Sequence, residues 1–284
     1  MISVNLNSIT SYATAQSIRR AASVWLCTSV LIATQAIANT YDEASNAYDA
    51  GDFATAFSIA QPLAVNGNPN AQYLLALMYD DGHGVELDDL SAIEWYTAAA
   101  HQGHISSQFN LAYMYDYGEG IDEDNKQAVH WYTQSAEQGD VSAQLNLALM
   151  YDFSEDGVER DIYKAIEWYA AAAKQGNRDA QYNLAVIYDE GEGVAVDDAK
   201  AVYWYQLAAM SGEHNAQTNL SVMYFNGEGI ETDVVEGLAW AYISAASASE
   251  LAISNLQDFE EAATNKQQRR AKRRAGELLA SMNR

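Results

Sequence analysis

Apolar positions recur with a helical period in the segment AQYLLALMYDDGHG, which begins at Ala71. Its apolar residues stand at i, i+4, i+7 and i+8, positions that share one face of a helix: Ala71, Leu75, Met78 and Tyr79. After a polar stretch rich in Asp and Gly, a second apolar stripe follows in AIEWYTAAA, residues 92–100. The pattern predicts two helices joined by a short turn.

This helix–turn–helix pattern occurs five times. Its copies begin at Ala71, Ser107, Ala143, Ala180 and Ala216, so the period is 36 or 37 residues. A fixed period in this range is typical of solenoids, in which each repeat packs on its neighbours. We therefore predict an all-α fold, an α/α superhelical solenoid of helix-turn-helix repeats of about 36 residues. The predicted repeats are 71–106, 107–142, 143–179, 180–215 and 216–250.

Each predicted second helix begins after an Asp, and four of the five end at a Gly. A carboxylate at the start accepts hydrogen bonds from free backbone N–H groups and interacts favourably with the positive helix end. A Gly past the last turn readily adopts the left-handed conformation that ends a helix. The residues are Asp88, Asp124, Asp161, Asp197 and Asp233 at the starts, and Gly103, Gly139, Gly176 and Gly212 at the ends.

The connections between paired helices are acidic and rich in glycine, as in YDYGEGIDEDN, residues 115–125. Counted from Asp116 or from Asp122, this stretch lacks the ligand spacing of an EF-hand calcium loop. We interpret the connections as capped turns in which Gly supplies positive φ, with weak binding of divalent cations as the alternative. The third connection has Ser154 in place of the first Gly and one inserted residue, so its local structure should differ.

The segments that flank the repeats predict caps. Residues 39–70 contain an incomplete copy of the pattern and predict an N-terminal capping repeat. Residues 251–284 have a helix-like composition and end in many bases, and they predict a C-terminal capping helix with a basic tail. Capping elements are expected at both ends of a solenoid because they cover the apolar faces of the terminal repeats.

The first 38 residues differ from the rest of the chain. They contain no acid, and Arg19 and Arg20 precede an apolar run that ends in Ala36-Ile37-Ala38. This pattern is typical of a secretory signal peptide, residues 1–38, cleaved after Ala38, and an uncleaved membrane anchor is the alternative. We therefore expect a periplasmic or secreted protein without stable membrane insertion after cleavage. Because Cys27 is the only cysteine, the mature chain would have no thiol.

The charge of the chain is strongly negative and unevenly distributed. The net charge is −24, and residues 39–265 hold 38 acids and 6 bases. Such a surface repels nucleic acid, so we expect no nucleic-acid partner. Residues 266–284 instead hold 7 bases and one acid, Glu277. This basic tail has three interpretations: it docks on the acidic body, it binds an anionic polymer of the cell envelope, or it is solvated.

The consensus of the five copies is A-Q-x-N-L-A-x-M-Y-x-x-G-x-G-x-x-x-D-x-x-x-A-x-x-W-Y-x-x-A-A-x-x-G. It resembles the Sel-one-like repeat, a relative of the tetratricopeptide repeat, over residues 47–250. The resemblance implies a right-handed superhelix of paired antiparallel helices whose usual role is to form a scaffold for protein–protein interaction. The cysteines of the disulfide-bonded branch of that family are absent after Ala38.

Catalytic and metal-binding motifs are missing from the sequence. No H-E-x-x-H, no G-x-S-x-G and no phosphate-binding glycine loop occurs. His101 and His104 form an H-x-x-H pair, but the next repeat has Glu137 and Asp140 at these positions, which indicates variable polar sites. We predict no catalytic residue, no cofactor and no metal. The evenly spaced Trp95, Trp131, Trp168, Trp204 and Trp240 are predicted to lie in the core.

The first helices also carry apolar residues on the face opposite the core stripe. A helix that is apolar on both faces is buried or forms a binding surface, and in the resembled repeats the first helices line a concave groove. Asn recurs between these residues, and its amide can donate to and accept from an extended peptide backbone. Arg178 is expected to be the only base near this face, which argues against a carboxylate clamp. The predicted groove consists of Tyr73, Leu77, Phe109, Asn110, Tyr113, Asn146, Leu149, Tyr182, Asn183 and Asn219, with Asp116, Asp152 and Asp189 at its edge.

These observations predict a non-catalytic scaffold or adaptor of the cell envelope that binds a peptide or partner protein in the groove. The expected ligand has apolar and basic residues, and the protein is expected to be a monomer. Two alternatives are an envelope hydrolase and an accessory factor that binds anionic envelope polymers through the basic C-terminal helix. For the groove itself, the alternative is that Asn is only a consensus residue and the apolar face packs on the next repeat.

Overall fold

The structure, a computed structural model, describes residues 40–154 and 157–282, and these residues form helices and no strand. The predicted all-α class is therefore confirmed, whereas the predicted signal peptide lies outside the described residues. Helix α1 covers residues 40–49. The others are α2 (Phe53–Val65), α3 (Pro69–Asp81), α4 (Asp89–Ala100), α5 (Ile105–Tyr117), α6 (Asn125–Glu137), α7 (Val141–Phe153), α8 (Ile162–Lys174), α9 (Arg178–Glu190), α10 (Asp198–Met210), α11 (His214–Asn226), α12 (Val234–Ser244), α13 (Glu250–Ala262) and α14 (Asn265–Met282).

The helices group into two compact units. Among the described residues, the first unit comprises residues 40–107 and the second comprises residues 108–154 and 157–282, so α5 begins in the first and lies mostly in the second. The closest packing occurs between the two helices of a repeat, as for α3 with α4 and α9 with α10. In the second unit, α6 also packs on α7, α8 on α9, and α10 on α11. Helices α7, α9 and α11 therefore each contact the second helix of their own repeat and that of the preceding repeat.

The helices begin where the sequence predicts. The side chain of each of the five Asp residues accepts a hydrogen bond from a backbone N–H of the first turn, for example Asp161 from Lys164 N at 3.2 Å. The first helices are capped in the same way by Asn68, Asp140, Asn177 and Glu213. In the third connection Ser154 has φ of 57°, so this loop enters the left-handed region without a glycine.

Tyrosine, and not tryptophan, is the fully buried aromatic residue of the repeats. Tyr96, Tyr132, Tyr169 and Tyr205 are each 0% exposed. The prediction that all five tryptophans lie in the core is confirmed for Trp131 and Trp240, whereas Trp95, Trp168 and Trp204 are only partly buried. The Tyr follows the Trp by one residue, which rotates it by about 100° towards the repeat interior. In the last repeat Ala241 replaces this Tyr, and there Trp240 is 2% exposed.

The two C-terminal helices pack on the end of the second unit. Phe259 of α13 stacks on Phe225 of α11 with ring centroids 3.9 Å apart. Helix α14 packs on α12 and buries Ala271, Ala275 and Leu278. Across this contact Arg274 forms a bidentate pair with Glu236, with Nε–Oε2 at 2.8 Å and Nη2–Oε1 at 3.2 Å. The middle of the basic tail, residues 271–278, is therefore docked on its own unit.

Candidate functional site

A tyrosine hydroxyl joins neighbouring repeats beneath the predicted groove. The Tyr132 hydroxyl, on α6, donates to Asp116 Oδ2 of α5 at 3.1 Å. The same hydroxyl accepts from Asn146 Nδ2 of α7 at 3.0 Å. One phenol thus connects the first helix of its own repeat to the first helix of the next repeat. We call this arrangement the Asp–Tyr–Asn bridge.

The Asp–Tyr–Asn bridge recurs in the second unit. Tyr205 donates to Asp189 Oδ2 at 3.1 Å and accepts from Asn219 Nδ2 at 2.8 Å. Tyr169 donates to Asp152 Oδ2 at 3.2 Å. In the first unit Tyr96 donates to Asp80 Oδ2 at 3.0 Å. The predicted edge Asp and groove Asn residues therefore have a shared structural role that the sequence analysis did not assign.

The electrostatics of the bridge keep the phenol protonated. Burial, followed by the negative charge of Asp116, raises the pKa of Tyr132, and burial with Asp189 does the same for the pKa of Tyr205. Burial also raises the pKa of Asp189, although its hydrogen bond from Tyr205 opposes this effect. The hydroxyl therefore remains a donor at ordinary pH. A primary amide has two N–H groups and a carbonyl oxygen, so one hydrogen bond to Tyr does not exhaust the Asn.

A pocket of about 530 Å³ opens in the second unit between the end of α7, the third connection and α9. It brings together three predicted site residues, Asp152, Tyr182 and Asn183. Phe153, Val186 and Ile187 supply apolar surface, and Glu190, Glu192 and Arg160 supply charge. Among the lining residues, Asp152 is only 9% exposed, whereas the neighbouring Phe153 is 70% exposed. The pocket therefore combines an apolar wall with three carboxyl side chains and one guanidinium group.

Arg160 is a pocket residue that the sequence analysis missed. Its Nε donates to the Asp152 carbonyl oxygen at 2.6 Å, and its Nη2 lies 3.3 Å from Asp152 Oδ1 and 2.8 Å from Glu192 Oε1. The expectation that Arg178 is the only base near the groove is wrong for this reason. The inserted residue and Ser154, which make the third connection unlike the others, were the sequence signal for a local difference.

The remaining predicted groove residues are distributed along the first helices. In the first unit Tyr73 and Leu77 are half-buried on α3, and the Tyr73 ring lies 4.6 Å from the His104 ring. In the second unit Phe109, Asn110 and Leu149 are half-buried, whereas Tyr113 is 36% exposed. These side chains therefore lie at or near the surface. Of the predicted site residues, only Asp152, Tyr182 and Asn183 line the pocket.

Within residues 40–154 and 157–282, no group of three or more His, Cys, Asp or Glu side chains is arranged to hold a metal ion. In the same part of the chain, no helix combines the length and the apolar character needed to cross a membrane.

The repeated helix pairs and their bridges define the chain as an α/α repeat protein of the solenoid class. The sequence model of the Sel1 repeat matches residues 69–104, 105–140, 141–177, 178–213 and 214–249. The chain belongs to the Sel1 repeat family. Proteins of this family generally act as non-catalytic scaffolds for protein–protein interaction.

Two solved structures resemble the chain along most of its length. One is c5321, a protective antigen present in uropathogenic Escherichia coli strains that displays an SLR fold, with 31% identity and a TM-score of 0.69. The similarity covers 87% of this chain and 54% of c5321, so the chain spans about half the length of that relative. The other is a Sel1 repeat protein from Oxalobacter formigenes, with 32% identity, a TM-score of 0.69, and coverage of 75% of this chain and 88% of that one. No curated protein matches the chain.

Proposed function

We propose that the chain is a non-catalytic adaptor that binds an extended peptide segment of a partner along the first helices of the second unit. The pocket between α7 and α9 carries this proposal, because it joins apolar surface, a hydrogen-bonding amide and carboxylates on adjacent repeats. Asp152, beside Asn183 in the pocket, accepts from the Tyr169 hydroxyl at 3.2 Å and its carbonyl oxygen accepts from Arg160 Nε at 2.6 Å, so this carboxylate is already oriented before a ligand arrives. Such preorganisation lowers the entropy cost of binding.

The charges of the pocket favour a basic ligand. Asp152, Glu190 and Glu192 line it together with a single base, Arg160. Because Arg160 is already paired with Asp152 and Glu192, the pocket retains an excess of negative charge. Tyr182 and Val186 offer apolar contact beside these carboxylates. A Lys or Arg side chain has an aliphatic stem and a cationic end, and it matches both properties.

The first unit contains a contact between a serine and a histidine, but this contact does not support a catalytic function. Ser107 Oγ lies 3.0 Å from His104 Nδ1. However, the serine is 0% exposed, and the same imidazole nitrogen accepts from the Ser107 backbone N–H at 3.2 Å. This geometry is that of a helix cap, and a buried hydroxyl is inaccessible to a substrate.

The proposal is tested with two synthetic peptides that alternate Leu with Ser, one carrying two Lys and the other two Glu at the same positions. The Lys peptide is expected to bind in a fluorescence anisotropy titration, and the Glu peptide is expected to bind at least about tenfold more weakly, because repulsion by the pocket carboxylates opposes it. Tyr182→Ala should weaken binding of the Lys peptide by about tenfold, a typical loss for an interface aromatic side chain.

Tyr163→Ala is the matched control, since Tyr163 is 72% exposed on α8, outside the pocket. It should leave the affinity unchanged, and circular dichroism should show the same helix content in both variants. Equal affinity of the protein for the two peptides, or an equal loss of affinity in the two variants, would show that the pocket is not the peptide-binding site.

We also propose that the protein is exported to the periplasm or beyond, on the basis of the signal pattern of residues 1–38. The expected result is that Asn39 is the first residue of the exported protein, as determined by mass spectrometry after expression of the full chain in a Gram-negative host. Membrane-bound protein that retains Met1 would contradict cleavage and favour an anchor.

A further inference from the structure

Helix α14 presents two opposite faces. Ala271, Ala275 and Leu278 are buried against the rest of the second unit. The other face carries Lys266, Arg269, Arg270 and Arg273, all exposed. These four bases stand at i, i+3, i+4 and i+7, so they lie on one side of the helix and span about 10 Å along its axis. We call them the basic face.

The basic face is largely free of internal partners. In the described part of the chain, Lys266, Arg269 and Arg270 form no ion pair within 4.0 Å, and Arg273 has a single contact of 3.7 Å to Glu277 on its own helix. By contrast, Lys272 and Arg274, which lie beside the buried face, pair with Glu260 and Glu236. The docking of α14 on its unit therefore uses the bases at the sides of the helix and leaves the basic face to solvent.

Unpaired bases are unexpected in a chain with net charge −24, because acidic side chains are abundant. We propose that the basic face binds a linear polysaccharide that bears carboxylate groups. The second unit itself shows the required chemistry, since Arg274 holds the Glu236 carboxylate with two hydrogen bonds. Arg269, Arg270 and Arg273 carry the same planar guanidinium group, which suits a carboxylate. This surface is separate from the peptide pocket between α7 and α9.

The shape and composition of α14 favour a narrow polymer over other anions. A vesicle surface or a duplex would bring many negative charges close to a body that holds 38 acids and 6 bases in residues 39–265, and charges closer than about 10 Å are poorly screened. A single flexible strand can touch the helix alone. Single-stranded nucleic acid is bound on aromatic side chains, and α14 has none. The buried apolar face is unavailable for insertion into lipid.

The test uses the full mature chain and polygalacturonate, a linear carboxylated polysaccharide, with neutral dextran as the uncharged comparison. Wild-type protein is expected to bind polygalacturonate and not dextran, and salt at 0.5 M should abolish binding. The variant R269Q/R270Q/R273Q should bind about tenfold or more weakly, because each basic side chain near an anionic surface contributes substantially.

The variant K126Q/K174Q/R178Q changes the net charge by the same amount away from α14 and serves as the matched control. It should bind polygalacturonate like the wild type, and circular dichroism should show folded protein in every case. Three outcomes would overturn the proposal: no binding of polygalacturonate by the wild type, equal losses in the two variants, or stronger binding to duplex DNA or to phosphatidylserine vesicles than to polygalacturonate.

Discussion

Replacement of Tyr169 by Ala is expected to lower the free energy of unfolding by about 3–5 kcal/mol, the range for large buried aromatic side chains. Tyr169 is 0% exposed and packs in a cluster with Ala165, Ala172 and Leu184. The substitution also removes the hydroxyl that donates a hydrogen bond to Asp152. Both the cavity and the lost hydrogen bond reduce stability.

Trp168→Ala is the matched comparison, because Trp168 precedes Tyr169 on the same helix but is only partly buried. We expect a smaller loss of about 1–2 kcal/mol, in proportion to the apolar area that it removes from water. Tyr169→Phe keeps the ring and isolates the hydroxyl, with an expected loss of about 1–3 kcal/mol. Urea unfolding followed by circular dichroism measures all three. A larger loss for Trp168→Ala than for Tyr169→Ala would contradict the assignment of Tyr as the core residue.

Gly229→Ala is expected to have the second largest effect, a loss of about 2–5 kcal/mol from overpacking together with left-handed strain. Gly229 lies in the connection between α11 and α12 with φ of +65°. A Cβ atom there would stand 2.4 Å from the backbone carbonyl carbon and oxygen of Asp198, at the start of α10. Backbone atoms cannot rotate away as a flexible side chain can, so the connection or the helix would have to move.

Gly212→Ala measures the cost of left-handed backbone strain without a steric clash. Gly212 has φ of +87°, but a Cβ atom at this position has no neighbour within 4 Å. Its expected cost is therefore the left-handed strain alone, about 1–2 kcal/mol. Thermal and urea unfolding of both variants provide the comparison. Equal losses would show that the Gly229 connection can move away from α10 at little cost.

The sequence predicts the helices well because their determinants are local. Apolar period, Asp caps and the glycine-rich connections act within one repeat, and the structure confirms the all-α class and the caps. The second glycine of a connection has a further role. Gly229 adopts a positive φ, and its lack of a side chain also lets the connection approach Asp198 of the preceding repeat closely. Such a requirement depends on how repeats pack, which the period alone does not reveal.

The candidate site is less predictable from the sequence, because its contacts also depend on how neighbouring repeats pack. The helix face predicts Asn146 in the groove and Asp116 at its edge, but the Tyr132 hydroxyl that joins them lies on a third helix. The available signal was the separation of 16 residues from Asp to Tyr and 14 from Tyr to Asn, which is the same at Tyr132 and Tyr205. At Tyr169 the separation from Asp152 is 17 residues, because one residue is inserted in that connection. Arg160 was missed because its place in the pocket depends on the loop shape created by the insertion.

The central claim, that a partner segment lies in the pocket between α7 and α9, is tested most directly by photo-cross-linking. Phe153 lines the pocket and is 70% exposed, and Tyr163 on α8 is 72% exposed, so both accept a photoreactive phenylalanine analogue without a change in burial. After irradiation with the Lys-bearing peptide, mass spectrometry is expected to show an adduct for the protein substituted at 153 and none for the protein substituted at 163. Adducts of equal yield at the two positions, or an adduct at 163 alone, would contradict the account.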